Sequence, residues 1–234
     1  GEIYNYLELR KKLQKKRHHF STHTDSEVLV HLYEEYQEKM VDHLDGMFAF
    51  AIWDMPKRRL YLARDRFGIK PLYYGKFDTS FAFGSEPKAL FAKQRSRSIN
   101  HDCVSMFLLL GYIPGNESAW NNIHVLQPGH TLSIRESGII DKCYWQLSPS
   151  KNASATSQSL AMLEQQLEHS VASQLMADVP VGIFLSGGID SSLIAYYASL
   201  HSKTRVKTFS VSFNEKSFDE SDYSLEVARH LNTD

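Results

Sequence analysis

The sequence predicts two domains of different class, an α+β domain followed by the first part of an α/β domain. Early in the chain, a β-rich run over 47–53 leads through a Pro-containing turn into a second strand over 59–64, an antiparallel hairpin. Beyond residue 160, helix, buried strand, apolar helix and strand alternate, the order typical of a parallel sheet. Between them, 148–159 is rich in Ser, Asn, Ala and Thr and has no apolar period, so we place the domain boundary between residues 150 and 151.

The elements of the first domain, residues 1–150, follow from local patterns. An amphipathic helix with a cationic face is predicted over 6–16. The next helix is predicted to start after Thr24, because Thr24 and Glu27 have the spacing of a capping box. The remaining predicted elements are strands at 71–75, 81–84 and 131–134, and helices at 86–92 and 101–110.

The second domain, residues 151–234, begins with a long amphipathic helix marked by the apolar period from Leu160 to Leu175. A short apolar run over 181–185 reads as a strand covered on both faces. After the apolar helix that follows, a second strand is predicted over 206–213, parallel to the first.

Composition excludes several classes of protein. The chain has 234 residues, a net charge of −1 and 23% charged residues, so nothing electrostatic implies a nucleic acid or membrane partner. There is no apolar run of membrane-spanning length and no secretory signal.

Cys103 and Cys143 form no CxxC pair, which favours a reducing, cytoplasmic setting. His18 and His19 lie in a basic polar stretch without a partner at metal-ligand spacing, and are interpreted as solvent-facing.

The most informative segment joins the strand over 181–185 to the apolar helix, and reads Ser186, Gly187, Gly188, Ile189, Asp190, Ser191, Ser192. Glycines let a backbone approach a phosphate closely, and a helix N-terminus offers free N–H groups. Serine hydroxyls add donors, whereas a carboxylate there suits a magnesium ion beside the phosphate. The alternative is a Gly-Gly turn with Ser191 capping the helix. The spacing alone leaves both interpretations open.

A series of motifs stands in a fixed order along the chain: Gly1–Asn5, Thr24–Glu27, Leu44–Ala51, Arg64–Tyr73, Ser85–Leu90, Gly111–Pro114, Pro128–His130, Met176–Gly182 and Ser186–Ser192. Together these segments resemble the glutamine-hydrolysing asparagine synthetase family. The segment Ser186–Ser192 resembles the SGGxDSS loop of the PP-loop ATP pyrophosphatases. The resemblance implies an αββα sandwich of the N-terminal nucleophile hydrolase type, a class II glutamine amidotransferase domain. The start of a parallel-sheet, PP-loop adenine-nucleotide hydrolase-like synthetase domain would follow it.

The resemblance also implies a ligase of asparagine biosynthesis. Glutamine would be hydrolysed to ammonia, while ATP with Mg²⁺ would adenylate aspartate and release pyrophosphate; ammonia would then give asparagine and AMP. A relative that amidates a sugar, peptide or other carboxylate is the alternative, and a non-catalytic regulatory or storage protein is a third hypothesis. Glutamine, aspartate and ATP are the expected small-molecule partners, and a homodimer is left open.

The site residues are carried over by position. Glutamine would be bound by Gly1, Glu2 and Asp25, although Glu2 is equally an ordinary strand residue and Asp25 equally a first-turn helix acid. The predicted ATP-binding residues are Leu185, Ser186, Gly187, Gly188, Asp190, Ser191, Ser192 and Val211, with Asp190 as the magnesium ligand. The side chains of Leu185 and Val211 would be core, with their main chains facing the nucleotide.

Other family landmarks are assigned structural roles. Arg64 and Asp65 are expected to brace the chain between strands. The family's nucleophile is an N-terminal cysteine, which neither Cys103 nor Cys143 matches, so both are interpreted as structural thiols and no catalytic residue is assigned. Both ends look cut, and residues 1–234 by themselves are therefore expected to be inactive.

Overall fold

The computed structural model describes residues 1–77, 80–93, 97–149, 157–177, 179–217 and 219–234. It divides into two compact units, Gly1–Pro149 and Ser150–Asp234, and both mix helices with strands. The predicted boundary between residues 150 and 151 lies outside the described residues, as does Asp178 of the motif before the second unit's first strand. No helix in the described part of the chain is long and apolar enough to cross a membrane.

The first unit alternates short helices with antiparallel strands. Its elements are β1 (Glu2–Ile3), α1 (Tyr6–Lys15), α2 (Ser26–Tyr36), a 3₁₀ segment (Gln37–His43), β2 (Gly46–Met47), β3 (Ala49–Asp54), β4 (Arg59–Arg64), β5 (Tyr73–Phe77), β6 (Ser80–Gly84), α3 (Pro87–Leu90), a 3₁₀ turn (Phe91–Lys93), α4 (His101–Leu110), β7 (His124–Val125), β8 (His130–Arg135) and β9 (Gly138–Cys143). The predicted hairpin of β3 and β4 is confirmed, with Ala49 opposite Arg64 and Asp54 opposite Arg59.

Two sheets and their helices form four layers. The strand orders are β3-β4-β8-β9 and β6-β5-β7. On β4, Tyr61 packs with the residues of α1 and α2, whereas Leu62 packs towards the second sheet, because successive strand side chains point to opposite faces. Phe77 on the far side of the second sheet packs against Leu90 of α3. The order is therefore helix, sheet, sheet, helix.

Asp65, directly after β4, holds the centre of this unit. Its buried carboxylate accepts four backbone hydrogen bonds: Oδ2 from Phe48 (3.2 Å) and Lys70 (3.0 Å), and Oδ1 from Phe67 (3.1 Å) and Ile69 (2.9 Å). Four N–H donors satisfy a buried carboxylate and fix the loop at the same time. The loop after β4 is thereby tied to Phe48, between β2 and β3.

Arg64 binds the same loop from its other side. Its guanidinium donates to the carbonyl oxygens of Lys70 (2.8 Å), Leu126 (2.6 Å) and Gly68 (2.7 Å). Burial lowers the pKa of Arg64 from its usual value, although the charge of Asp65 opposes this. The predicted bracing role is confirmed, but within the described residues Arg64 and Asp65 form no ion pair with each other; each binds backbone groups separately.

The start of α2 differs from the predicted capping box, which is wrong. The helix begins at Ser26, and within the described residues no side chain caps it. The Glu27 carboxylate instead accepts from the N–H groups of Ser21 (2.6 Å) and Thr22 (2.7 Å), because the chain before the helix folds back on it. Together with the Thr22 hydroxyl, these bonds lower the pKa of Glu27 to about 2.

The second unit consists of α5 (Ser157–Gln174), β10 (Gly182–Phe184), α6 (Ile189–His201), β11 (Lys207–Phe209) and α7 (Ser221–Leu231). The predicted parallel pairing is confirmed, with Gly182 opposite Lys207. Ile183 and Leu185 pack with Ala195 and Ala198 of α6. The second strand is shorter than predicted, ending at Phe209.

Strands β7 and β9 were not predicted from the sequence. All six residues of β9 are exposed, so the strand shows no alternation of buried and exposed positions that a pattern could reveal. It exists because its backbone pairs with β8 along its whole length, from His130 opposite Cys143 to Arg135 opposite Gly138.

Replacing Asp65 by asparagine tests the importance of its carboxylate. The amide of D65N would present only one acceptor oxygen to the four N–H groups, so we expect this variant to lower the free energy of unfolding by about 2–4 kcal/mol. Urea denaturation measures this. D42N, at an exposed aspartate, is the control and should leave the midpoint unchanged; equal effects of the two variants would contradict the role given to Asp65.

Candidate functional site

The three predicted glutamine-binding residues come together at the edge of the first unit. Gly1 and Glu2 lie at β1, where Glu2 pairs with Met47 of β2. The Asp25 Oδ2 atom accepts a hydrogen bond of 3.0 Å from the Ile3 N–H, which joins the start of α2 to β1. A Cβ on Gly1 would lie 2.6 Å from the Met47 carbonyl oxygen, so only glycine fits beside β2.

Asp25 is neither a simple first-turn acid nor a side-chain cap. Its Oδ2 holds β1, and its Oδ1 accepts from the Ser26 hydroxyl at 3.2 Å. An ionised carboxylate has about four lone-pair sites, so these two bonds leave capacity for a further donor. The half-buried position of Asp25 therefore combines a structural contact with room for a cationic ligand.

The loop from Ser186 to Ser192 turns through a glycine and brings two serine hydroxyls together. Gly187 has φ +84°, a conformation that favours glycine, and the Ser186 hydroxyl accepts from the Gly188 N–H at 3.3 Å. The Ser186 and Ser191 hydroxyl oxygens lie 3.0 Å apart, and the Ser191 hydroxyl donates to the Gly188 carbonyl at 3.1 Å. The two hydroxyls thus stand together at the start of α6.

The N-terminus of α6 is open. Gly188 is the residue before the helix, and no side chain of the described residues accepts from the first helical N–H groups. The alternative in which Ser191 caps the helix is therefore wrong, because Ser191 lies within the first turn and its hydroxyl binds a carbonyl instead. The Ser192 Oγ is buried and has no hydrogen-bond partner among the described residues. Free N–H groups and an unpaired hydroxyl suit an anion.

Asp190 lies exposed in the first turn of α6. In the described ranges, it belongs to no group of three His, Cys or acidic side chains close enough to hold a metal ion. Magnesium commonly binds through one or two carboxylates plus phosphate oxygens and waters, so a single carboxylate fits an ion delivered with a phosphate.

A cleft of about 290 Å³ opens at the ends of β10 and β11. Leu185, Ser186 and Val211 all line it, whereas Gly187 and Ser192 line a different cleft. Leu185 is core, as predicted, but the prediction that the Val211 side chain is core is wrong: it is 63% exposed because β11 ends at Phe209. Both main-chain groups of Leu185 are engaged, its N–H with Phe209 and its carbonyl with the Ser210 hydroxyl.

Three aromatic residues that line this cleft were not predicted from the sequence: Phe184, Phe209 and Phe213. They look like core residues of two buried strands, but Phe184 is 81% exposed. The only available signal was their position at or just beyond the carboxyl ends of parallel strands, where ligands bind in open α/β sheets.

Both cysteines belong to the first unit. Cys103 is buried on α4, and burial raises the pKa of its thiol. Cys143 is exposed at the end of β9, where its thiol donates to the Trp145 carbonyl at 3.2 Å. Both are free thiols.

Comparison with known proteins assigns the two parts of the chain separately. The family model described as glutamine amidotransferase domain matches residues 1–145, and the one described as asparagine synthase matches residues 162–234. The first model covers more than half of the chain, which therefore belongs to the glutamine amidotransferase family. The asparagine synthase model covers most of the remaining part of the chain, after the amidotransferase match.

Curated relatives agree. Asparagine synthetase [glutamine-hydrolyzing] 3 of Bacillus subtilis is 38% identical over 92% of this chain and 36% of its own length. A putative asparagine synthetase of Methanocaldococcus jannaschii is 34% identical over 100% of this chain and 46% of its own. The maize asparagine synthetase is 40% identical over 86% of this chain and 30% of its own. The chain thus spans less than half the length of each relative.

Among solved structures, a glutamine phosphoribosylpyrophosphate amidotransferase of B. subtilis, complexed with ADP and GMP, aligns over 93% of this chain and 46% of its own. The sequence identity is 17% and the TM-score is 0.44.

The two glycines of the loop offer a matched pair of variants. A Cβ on Gly187 would lie 2.6 Å from the Tyr223 Cβ and would be strained at φ +84°, whereas a Cβ on Gly188 would meet only the Ser186 Oγ at 3.4 Å. We expect G187A to lower the free energy of unfolding by about 1–3 kcal/mol, and G188A by less than about 1 kcal/mol. Urea denaturation followed by circular dichroism measures both. Equal free energies of unfolding for G187A and G188A would contradict the close packing of Gly187 against α7.

Proposed function

We propose that the protein is an ATP-dependent, glutamine-hydrolysing asparagine synthetase of the cytoplasm. The observation that carries the proposal is the pairing of a glutamine amidotransferase region with an open, glycine-turned helix N-terminus in the asparagine synthase region. The helix–sheet–sheet–helix layers support an N-terminal nucleophile hydrolase fold for the first unit. The parallel pair β10–β11 with its loop supports the start of a PP-loop domain for the second.

The proposed reaction couples two half reactions. Glutamine is hydrolysed to glutamate and ammonia. The β-carboxylate of aspartate attacks the α-phosphorus of ATP, which forms an acyl-adenylate and expels pyrophosphate. Ammonia then attacks the acyl carbon, and the products are asparagine and AMP.

In the first half reaction, Asp25 would hold the glutamine α-ammonium through a charge-assisted bond, beside its bond to Ile3. The Gly1 N–H would face the developing oxyanion, a role that only requires a placed backbone amide. Glu2, half-buried on β1 next to this amide, would complete the binding edge.

In the second half reaction, the N-terminus of α6 would cradle the pyrophosphate part of ATP. Backbone N–H groups after Gly188, with the hydroxyls of Ser186, Ser191 and Ser192, supply donors for it. Asp190 would ligate the accompanying Mg²⁺. The adenosine would occupy the cleft at β10 and β11, where the Leu185 side chain forms a wall. Because the main-chain groups of Leu185 are engaged, those of Val211 are the better candidates for base recognition.

Isosteric variants of Asp25 and Asp190 separate the two half reactions. D25N keeps an acceptor for Ile3 but loses the charge, so we expect the KM for glutamine to rise about 10- to 100-fold. Asparagine formation from free ammonia should stay unchanged. D190N should lower pyrophosphate release at least about tenfold with either nitrogen source, because the metal ligand is lost. D45N, at an exposed aspartate, is the control.

The acceptor is tested by incubating the protein from its whole reading frame with ATP, glutamine and candidate acids, and measuring pyrophosphate. Aspartate-dependent release with asparagine as product supports the proposal. If aspartate gave none while a sugar, peptide or other carboxylate did, the protein would be a related amidotransferase. Release with no acid would contradict both. The inactivity of residues 1–234 alone and the homodimer stay predictions.

A further inference from the structure

Two histidines and a glutamate converge between the end of α1 and the middle of α2. The Nδ1 atom of His18 lies 3.2 Å from the Nδ1 atom of His31. The Glu34 Oε2 atom lies 2.9 Å from the His31 Nδ1 and 3.3 Å from the His18 Nδ1. Both histidine side chains are largely covered, 14% and 15% exposed, whereas Glu34 reaches solvent.

The interpretation of His18 as solvent-facing and without partner is therefore wrong. Its partners come from the next helix, where His31 and Glu34 are three residues apart and share a face. The spacing in the sequence could not reveal them, because His18 stands outside that helix. His19 next to it is exposed, as expected.

While Glu34 is ionised, no placement of protons on the two Nδ1 atoms makes all three contacts hydrogen bonds. The ionised Glu34 only accepts, and each Nδ1 either donates or accepts. If the His18 Nδ1 carries a proton and the His31 Nδ1 does not, the lone pair of the His31 Nδ1 faces the carboxylate. If the His31 Nδ1 carries the proton instead, the lone pair of the His18 Nδ1 faces the carboxylate. With both protonated, two N–H groups face each other. A cation among the three atoms resolves this, since all three then act as donors of electron pairs to it.

The outer nitrogen of the His18 ring supports that arrangement. The His18 Nε2 lies 2.9 Å from the Glu35 Oε1, and the Glu35 carboxylate is itself held by Lys16 at 2.5 Å. A carboxylate bonded to Nε2 places the proton there and leaves the Nδ1 lone pair for a metal, as is usual for metal-bound histidines. The His31 Nε2 lies 3.9 Å from the Glu27 Oε1, beyond hydrogen-bond distance.

We propose that His18, His31 and Glu34 bind a zinc ion, with the fourth coordination position open to solvent. In a tetrahedral site with bonds of about 2.0–2.1 Å, neighbouring ligand atoms are about 3.3 Å apart. The observed separations of 3.2, 2.9 and 3.3 Å lie close to one face of such a tetrahedron. Two imidazoles and one carboxylate suit zinc, whereas magnesium and calcium prefer oxygen ligands alone. The ion would join the chain after α1 to α2.

Zinc affinity is measured by competition with a chromogenic chelator, using the whole chain. We expect one tight site, weakened at least about a hundredfold in H31Q and E34Q, which exceeds the cost usual for outer-shell changes. E35Q should weaken binding about 10- to 100-fold. H19Q is the matched control, because His19 is adjacent but exposed, and its affinity should equal that of the wild type.

Cobalt substitution and thermal unfolding give readouts independent of affinity. Co²⁺ bound to the wild type should show the intense visible absorption of a tetrahedral ion, which E34Q should lose. Zinc should raise the Tm of the wild type and of H19Q but not of E34Q. Because Glu34 is exposed, E34Q should fold normally without metal, which circular dichroism checks. Equal zinc binding by wild type and E34Q, or only the weak absorption of octahedral Co²⁺, would overturn the proposal.

Discussion

The buried carboxylate of Asp65 is the interaction on which the first unit depends. It lies where four backbone N–H groups from two segments converge, and it accepts a hydrogen bond from each of them. One of them belongs to Phe48, which lies between β2 and β3. The Arg64 guanidinium donates hydrogen bonds to carbonyl oxygens of the same loop. The side chains of Arg64 and Asp65 thus supply the hydrogen bonds that a helix or sheet would supply to a regular segment.

The two candidate sites are built in different ways. At the first candidate site, Glu2 is placed by the pairing of β1 with β2, and Asp25 is fixed by its hydrogen bond to Ile3 of β1. The site therefore depends on segments that are distant in sequence. The second candidate site is local: Ser186, Gly188 and Ser191 bond to one another within six residues, and Gly187 packs closely against Tyr223 of α7.

The sequence predicts elements well where one face is buried and poorly where pairing or long-range contacts decide. The hairpin β3–β4 and the parallel pair β10–β11 follow from apolar runs, and both are confirmed. β9 has no buried face to read. The capping box failed because Glu27 bonds Ser21 and Thr22, which no local rule anticipates. The partners of His18 likewise depend on how two helices meet. The sequence could therefore indicate candidate site residues that lie within one motif, but it could not indicate contacts between motifs.

The anchoring of the loop after β4 also lowers the conformational entropy of its backbone. Phe67 and Ile69 are 69% and 58% exposed, yet the backbone N–H of each is bound to the Asp65 Oδ1. Phe67 additionally contacts the Trp145 ring, with centroids 5.1 Å apart. The backbone freedom of these two apolar residues is therefore lost during folding, when the loop forms. Binding of another molecule to Phe67 and Ile69 would therefore cost little further conformational entropy of this loop.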